Sequence, residues 1–442
     1  MTYRELDERV DALATGLDRA GVEAGNRIVI LGDITGVVPQ IIHAAWRCGA
    51  TAVPIDPQLS ASRRRRRIDL IDPALVVGPK PLVASTGIDA VPIVDLIASP
   101  RADLYPAVGP DDPAVILFTS GTTGAAKAVV LTARNLHVNA YASGFRLGID
   151  PTDRWITCLE PHHMGGFAPI VRSAVYGTTL QLTPFGPNQI EMAIHEREGT
   201  VISLVPTMLQ RLLAADIPLA ACRAVLVGGA ATPPGLVAEA LDRDVAIFTS
   251  YGMTETASQI ATATPDELRC DPTTVGKPLR WTDVSIDGNA PGPVRVEGPT
   301  VATGYVTSDG LEPFDGTITT GDCGSIGVDG RVTVVGRHDD RIVSGGVTVD
   351  PRAIESTIRT TRGIEDVAVI GIEDPEWGER PVGVMRVADD RYDASELEAR
   401  IERELRPAER PITLLVVDAI PRTHSGTVNR SAIRRLVDRR LD

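Results

Sequence analysis

The chain has 442 residues, 43% of them hydrophobic and 23% charged, which places it among globular proteins and allows about two to four compact units. Its net charge of −14 excludes a basic nucleic-acid footprint, and no apolar run approaches the ~20 residues that a membrane-spanning helix needs. Cys48, Cys158, Cys222, Cys270 and Cys323 are odd in number and widely spaced, which supports neither a disulfide framework nor a zinc site.

The N-terminal stretch MTYRELDERVDALATGLDRAG carries charge from its fourth residue and has no apolar h-region. A cytoplasmic protein without a secretory signal is therefore expected. Among 44 basic residues only Lys80, Lys127 and Lys277 are lysines, a bias that fits either high-GC coding or a salt-adapted host.

Leu6, Val10, Leu13 and Leu17 fall on one face of a predicted helix. RIVIL (27–31) reads as a buried strand, 37–47 as a helix and TAVPI (51–55) as another strand. The five arginines at 63–67 read as a solvated helix face, with a phosphate-facing role second. This alternation continues to about residue 250 and predicts helix-covered sheets. After about residue 290 strand-like runs dominate, with Asp329-Gly330 as a hairpin turn. Helices at 351–360 and 394–405 and strands at 367–372 and 413–417 follow.

An α/β fold results: a large N-terminal domain of helix-covered sheets plus a β-rich subdomain (1–338), then a small α+β C-terminal domain (339–442). The boundary is set near 336–340, where Gly-Arg-His-Asp-Asp separates the two textures.

The most informative stretch is ILFTSGTTGAAKAVVL, where an apolar strand enters Thr119, Ser120, Gly121, Thr122, Thr123 and Gly124 and then Lys127 and a second strand. Two glycines and four hydroxyls can present N–H and O–H donors to phosphate oxygens. The Gly and Lys spacing is not that of the P-loop.

TSGTTGAAK, YGMTETAS, TTGD, GRHDDRIVSGG and PRTHSGTVNR occur in the order seen in the adenylate-forming acyl-CoA ligases, and the chain resembles that family over nearly its whole length. The resemblance implies ATP, Mg²⁺ and coenzyme A as cosubstrates and cofactor, a small carboxylate as substrate and a homodimer as one possible assembly. It implies that 119–124 with Lys127 hold the β- and γ-phosphates, although alanines stand at 126 and 128 where the family usually has Pro and Gly. Tyr251 and Gly252, with Gly228, Gly229 and Ala230, would border the adenine. Thr254 would donate to the α-phosphate, and Glu255 would ligate Mg²⁺. Asp322 would accept from the ribose hydroxyls, Arg337 would bind ribose or phosphate, and Asp339 would be the hinge of a mobile C-terminal domain. Gly345 and Gly346 would approach the pantetheine tunnel. A few tens of residues before Thr2 are usual in the family.

One departure concerns chemistry. Where the family has an adenylation lysine, position 427 is threonine, leaving Arg422, His424 and Arg430 as candidate substitute cations. Loss of one preorganised electrostatic donor costs about 10²–10³ in rate by analogy with oxyanion holes.

The stretch LEPHHMGGFAPIVRSAVYG resembles the o-succinylbenzoate:CoA ligases of menaquinone biosynthesis, which implies His163 at the acyl pocket and Arg172 near a second substrate carboxylate. An arginine fork suits a dicarboxylate. The open alternatives are an acyl- or aryl-CoA ligase for a monocarboxylate, an adenylation domain serving a carrier protein, and a nucleotide- and acyl-binding protein with impaired adenylation.

Overall fold

The computed structural model describes residues 1–33, 36–80, 82, 90–98, 108–119, 127–288, 290–337, 342–344, 347–388, 392–422 and 428–441. They fall into two compact units, Met1–Val284 with Val296–Ile318, and Ser285–Arg295 with Thr319–Asp442.

The helix Tyr3–Arg19 begins in a capping box, with Thr2 accepting from the Glu5 amide and Glu5 accepting from that of Thr2. Its predicted apolar face is the buried one, since Val10, Leu13 and Leu17 share a core with Ile41 and Ile42 of helix Val37–Arg47.

Two sheets build the first unit. An eight-stranded sheet runs in the order Gly310–Pro313, Gly304–Thr307, Lys127–Thr132, Pro113–Thr119, Thr51–Ile55, Arg27–Leu31, Leu75–Gly78, Ala90–Pro92. A seven-stranded sheet runs Lys277–Pro278, Ser258–Ala263, Ile247–Met253, Ala224–Val227, Val201–Leu204, Arg154–Thr157, Thr179–Leu182. Its five strands from Ile247–Met253 onward pair in parallel, and VISL and AVLV are buried throughout, as a sheet covered on both faces requires. Leu136 and Ala140 of helix Ala133–Leu147 share a core with Phe167 and Val171 of helix Met164–Tyr176.

The arginine run departs from its expected role. On helix Ala61–Ile71, Arg63, Arg65 and Arg66 are exposed, but Arg64 is buried and donates to the Pro57 carbonyl at 3.0 Å. Arg67 lies over the Phe118 ring at 4.7 Å, and burial holds its guanidinium below the usual value. An amphipathic helix turns a run of five consecutive residues through more than one face, so some must point inward.

Most of a four-stranded sheet belongs to the second unit: Asp283–Ile286, Gly292–Glu297, Thr317–Ile326, Val332–Arg337. The turn joining its last two strands contains Asp329-Gly330 as expected, with Gly330 at φ 79°. A five-stranded sheet follows, in which Gly378–Val387 pairs with both Ile364–Asp374 and Leu414–Val416. Helices Pro351–Arg359 and Ala394–Glu404 match their predicted spans, while strand Gly378–Val387 and helix Arg430–Leu441 were not anticipated. No described helix is long and apolar enough to cross a membrane.

Candidate active site

Strands Pro113–Thr119 and Lys127–Thr132 pair antiparallel, with Thr119 opposite Lys127. The predicted phosphate loop thus hangs between two ladder-paired ends. Its core, Ser120, Gly121, Thr122, Thr123 and Gly124, lies outside the described residues, as do Asp339, Gly345, Gly346, His424 and Thr427.

The chain reverses from strand Ile247–Met253 into Ser258–Ala263 through a 3₁₀ turn, Thr254–Thr256. Three features force that turn. The ladder shifts register between Tyr251 and Gly252, and a Cβ on Gly252 would stand 1.9 Å from the Ser258 carbonyl oxygen. Ala257 adopts φ 54° and Ser258 φ 125°. The wholly buried Thr256 hydroxyl lies 3.2 Å from the Met253 carbonyl and 3.3 Å from that of Ser258. Thr254 and Glu255 are consequently displayed, half-buried, on a braced turn, with the Ala302 amide donating to the Glu255 carbonyl at 2.8 Å.

Tyr305 joins this turn to strand Lys127–Thr132. It sits on strand Gly304–Thr307, which pairs with Lys127–Thr132. Its hydroxyl donates to Glu255 Oε1 at 2.9 Å, and the Lys127 ammonium lies 4.5 Å from its ring centroid. Burial, reinforced by the Glu255 charge, pushes the Tyr305 phenol well above its ordinary value. The sequence gives no motif for Tyr305, because its partners are brought to it by strand pairing from far along the chain.

Arg172 is 2% exposed on helix Met164–Tyr176. Its Nη2 donates to Gln259 Oε1 at 2.9 Å, Asn139 Oδ1 at 3.1 Å and Ser258 Oγ at 3.2 Å, and the guanidinium lies 5.4 Å from the Trp155 ring. All three acceptors are neutral. Arg172 has no carboxylate partner among the described residues, its Nε has no hydrogen bond, and burial lowers its pKa. A buried cation without a counter-ion is costly unless an anion completes it. Leu136, Asn139, Ala140, Ala168, Val171 and Ala257 surround Arg172 closely and leave no room for a water molecule. Asn139 and Gln259, polar positions inside apolar elements, were the available sign of this network.

His163 caps helix Met164–Tyr176, its ring 4.4 Å from that of the buried His162. About 13 Å of helix axis lies between His163 and Arg172, so the two predicted substrate residues are set apart along one helix. Gly228, Gly229 and Ala230 follow strand Ala224–Val227, which pairs with the strand carrying Tyr251. A Cβ on Gly228 would stand 2.4 Å from Ser250 Oγ. These residues gather at the carboxyl ends of parallel strands, where open α/β sheets bind ligands.

In the second unit Asp322 lies opposite Arg337 in the antiparallel ladder, and the Asp322 amide donates to Thr320 Oγ1 at 3.1 Å. Two of the candidate substitute cations are engaged there: Arg422 pairs with Asp366 at 2.6 Å, and Arg430 lies 3.7 Å from Glu355 and donates to the Val369 carbonyl.

No cluster of three metal-ligating side chains occurs among the described residues. Glu255 has one oxygen committed to Tyr305 and forms no ion pair there. That arrangement fits Mg²⁺, which is commonly held by one or two carboxylates together with substrate phosphates and water.

Comparison with known proteins agrees with this geometry. The family model described as "AMP-binding enzyme" matches residues 1–306, and that of the "AMP-binding enzyme C-terminal domain" matches 353–427. A 2-succinylbenzoate–CoA ligase of Bacillus licheniformis is 31% identical, covering 97% of this chain and 94% of its own. One from Oceanobacillus iheyensis is 30% identical, covering 97% and 93%. Among solved structures, the o-succinylbenzoate CoA synthetase of Bacillus subtilis with its acyl-adenylate intermediate superposes at a TM-score of 0.91, 28% identical over 98% of this chain and 93% of that one. The same protein with ATP and magnesium gives 0.89 at 27%, covering 98% and 94%. ATP-bound MatB from Rhodopseudomonas palustris gives 0.90 at 26%, covering 98% and 93%.

Proposed function

The chain belongs to the AMP-binding enzyme family, and on that premise we propose that it is an ATP-dependent acid:CoA ligase acting on o-succinylbenzoate. The substrate carboxylate attacks the α-phosphorus of ATP and pyrophosphate leaves. The coenzyme A thiol then attacks the acyl-adenylate carbonyl, forming the thioester and releasing AMP.

The observation that carries the substrate choice is Arg172, a buried cation whose three acceptors are neutral. A substrate with a second carboxylate supplies the missing charge, whereas a fatty acid or benzoate leaves it unanswered. The names of the relatives support the same acid.

In this reading Lys127 and the loop 119–124 receive the β- and γ-phosphates. Thr254 donates to the α-phosphate and Glu255 holds Mg²⁺, which neutralises phosphate charge. Tyr251, Gly252, Gly228, Gly229 and Ala230 border the adenine, His163 faces the reacting carboxyl, and Asp322 and Arg337 take the ribose. The C-terminal domain turns about Asp339 between the half-reactions, bringing Gly345 and Gly346 to the pantetheine. A cytoplasmic dimer belongs to the same reading.

The test is AMP formation with ATP, Mg²⁺, coenzyme A and o-succinylbenzoate, beside benzoate and medium-chain fatty acids, in low and molar KCl. Turnover selective for o-succinylbenzoate supports the reading. Equal turnover of the monocarboxylates moves the assignment to a general acyl-CoA ligase. No turnover with any acid, persisting in Thr427→Lys, overturns the ligase and leaves a binding protein.

A further inference from the structure

Two charged groups of opposite sign meet on one aromatic ring. Glu255 takes the hydrogen bond of the Tyr305 hydroxyl, and Lys127 sits over the face of the same ring. The ring itself is fixed. Its strand is paired on one side to Lys127–Thr132, with Tyr305 opposite Val129, and on the other to Gly310–Pro313, with Tyr305 opposite Glu312. Phe314 packs edge-on against it at 4.8 Å and 86°.

The physical consequences differ for the two partners. A carboxylate with one oxygen held by a phenol keeps a defined orientation for the other oxygen, which is the one left to a cation. Donating its hydroxyl hydrogen bond to a carboxylate also enriches the Tyr305 ring in negative charge, and a cation over the ring face responds to that quadrupole. Lys127 is exposed at the strand end that begins where the phosphate loop stops, and apart from strand pairing the ring is its only described partner.

We propose that Tyr305 is a positioning residue that sets Glu255 and Lys127 in mutual register for a divalent cation bound to a nucleoside triphosphate. This rests on the ATP-dependent reading above. The hydroxyl serves Glu255 and the cation; the ring face serves Lys127 and the terminal phosphates. Tyr305 touches no reacting atom.

Because the two contacts use different parts of one side chain, two substitutions separate them. Tyr305→Phe removes the hydroxyl and keeps the ring, whereas Tyr305→Leu removes both. The full-length protein is titrated with ATP by calorimetry, in EDTA and at saturating Mg²⁺, and with Mn²⁺ by electron paramagnetic resonance in the presence of ATP. Thermal unfolding is recorded alongside.

Tyr305→Phe is expected to weaken Mn²⁺ binding about tenfold, as loss of a hydrogen bond to a charged group does, and to weaken ATP binding at saturating Mg²⁺ in step, while ATP affinity in EDTA changes less than about twofold. Tyr305→Leu is expected to show the same Mn²⁺ loss and a further fall in ATP affinity of about two- to fivefold, the range of a partly exposed cation–π contact. Mn²⁺ affinity unchanged in Tyr305→Phe, or an equal loss of ATP affinity in EDTA in both variants, overturns the positioning role while leaving the ligase reading in place. Absence of cation-dependent ATP binding in the unsubstituted protein overturns that reading and this inference with it.

Discussion

Asn139 Oδ1 accepts from Arg172 at 3.1 Å while its own amide donates to the Gln259 carbonyl at 2.9 Å, so one side chain ties the buried guanidinium to the strand leaving the Thr254–Thr256 turn. The proposed substrate anchor and the turn carrying Glu255 therefore share a brace. Arg172→Gln is expected to lower kcat/KM for o-succinylbenzoate by at least about 30-fold, the scale of breaking a buried charge pair, and to lower kcat/KM for benzoate far less, by the loosening of the shared brace alone. Arg172→Lys should rescue little, since a single ammonium cannot reach Asn139, Ser258 and Gln259 as the guanidinium does. Steady-state kinetics on the two acids check both.

Gly252→Ala places a methyl group 1.9 Å from the Ser258 carbonyl oxygen, which is backbone and cannot step aside. The reversal between the two strands must open. Loss of adenylation by at least about 100-fold is expected with a loss of stability of about 1–3 kcal/mol. Pyrophosphate exchange and urea unfolding read the two effects separately.

Asp153 carries a prediction for acid stability. Burial pushes its pKa up, but Arg223, the Asp150 amide and the Thr200 hydroxyl outweigh burial and hold it below the ordinary 3.8. A depressed carboxylate pKa contributes stability that is full above 3.8 and is lost as pH falls through the folded value. Asp153→Asn should cost about 1–2 kcal/mol at pH 7, the scale of hydrogen bonds to a charged group where one partner, Arg223, remains partly in solvent. Its stability difference from the unsubstituted protein should shrink once pH drops below 3.8.

Thr427→Lys tests the chemistry that the sequence lacks. Arg422 and Arg430 are both engaged within the second unit, at Asp366 and Glu355. Restoring the lysine is expected to accelerate acyl-adenylate formation by about 10²-fold, the lower scale of one electrostatic donor. Thioester formation from supplied acyl-adenylate should change little. Rapid-quench measurement of the two half-reactions decides this.

Much of the architecture was legible because it rests on local pattern. The helix at 3–19, the buried strands at 27–31 and 51–55 and the turn at 329–330 follow from periodicity and turn chemistry alone. Strand Gly378–Val387 was not, since Pro381, two glycines and three charged residues interrupt its apolar run and its pairing on two sides is a tertiary fact. The same holds at the site. Thr254 and Glu255 stand out as a motif, whereas Tyr305 and Asn139 acquire meaning only when distant segments are brought against them. Arg64 and Arg67 show the reverse error, a charge run whose members face different surroundings.

The pairing of Thr119 with Lys127 also bears on how this protein can be altered. Antiparallel partners keep their Cα atoms about 5 Å apart, so the span that the intervening segment must bridge is set by the sheet and not by the segment. Such a segment behaves as an interchangeable cassette: its composition, and within limits its length, can be exchanged without moving its anchors. Transplanting this stretch from a relative, prolines and glycines included, should then transmit the donor's affinity for the terminal phosphates while leaving the framework and its unfolding temperature as they were.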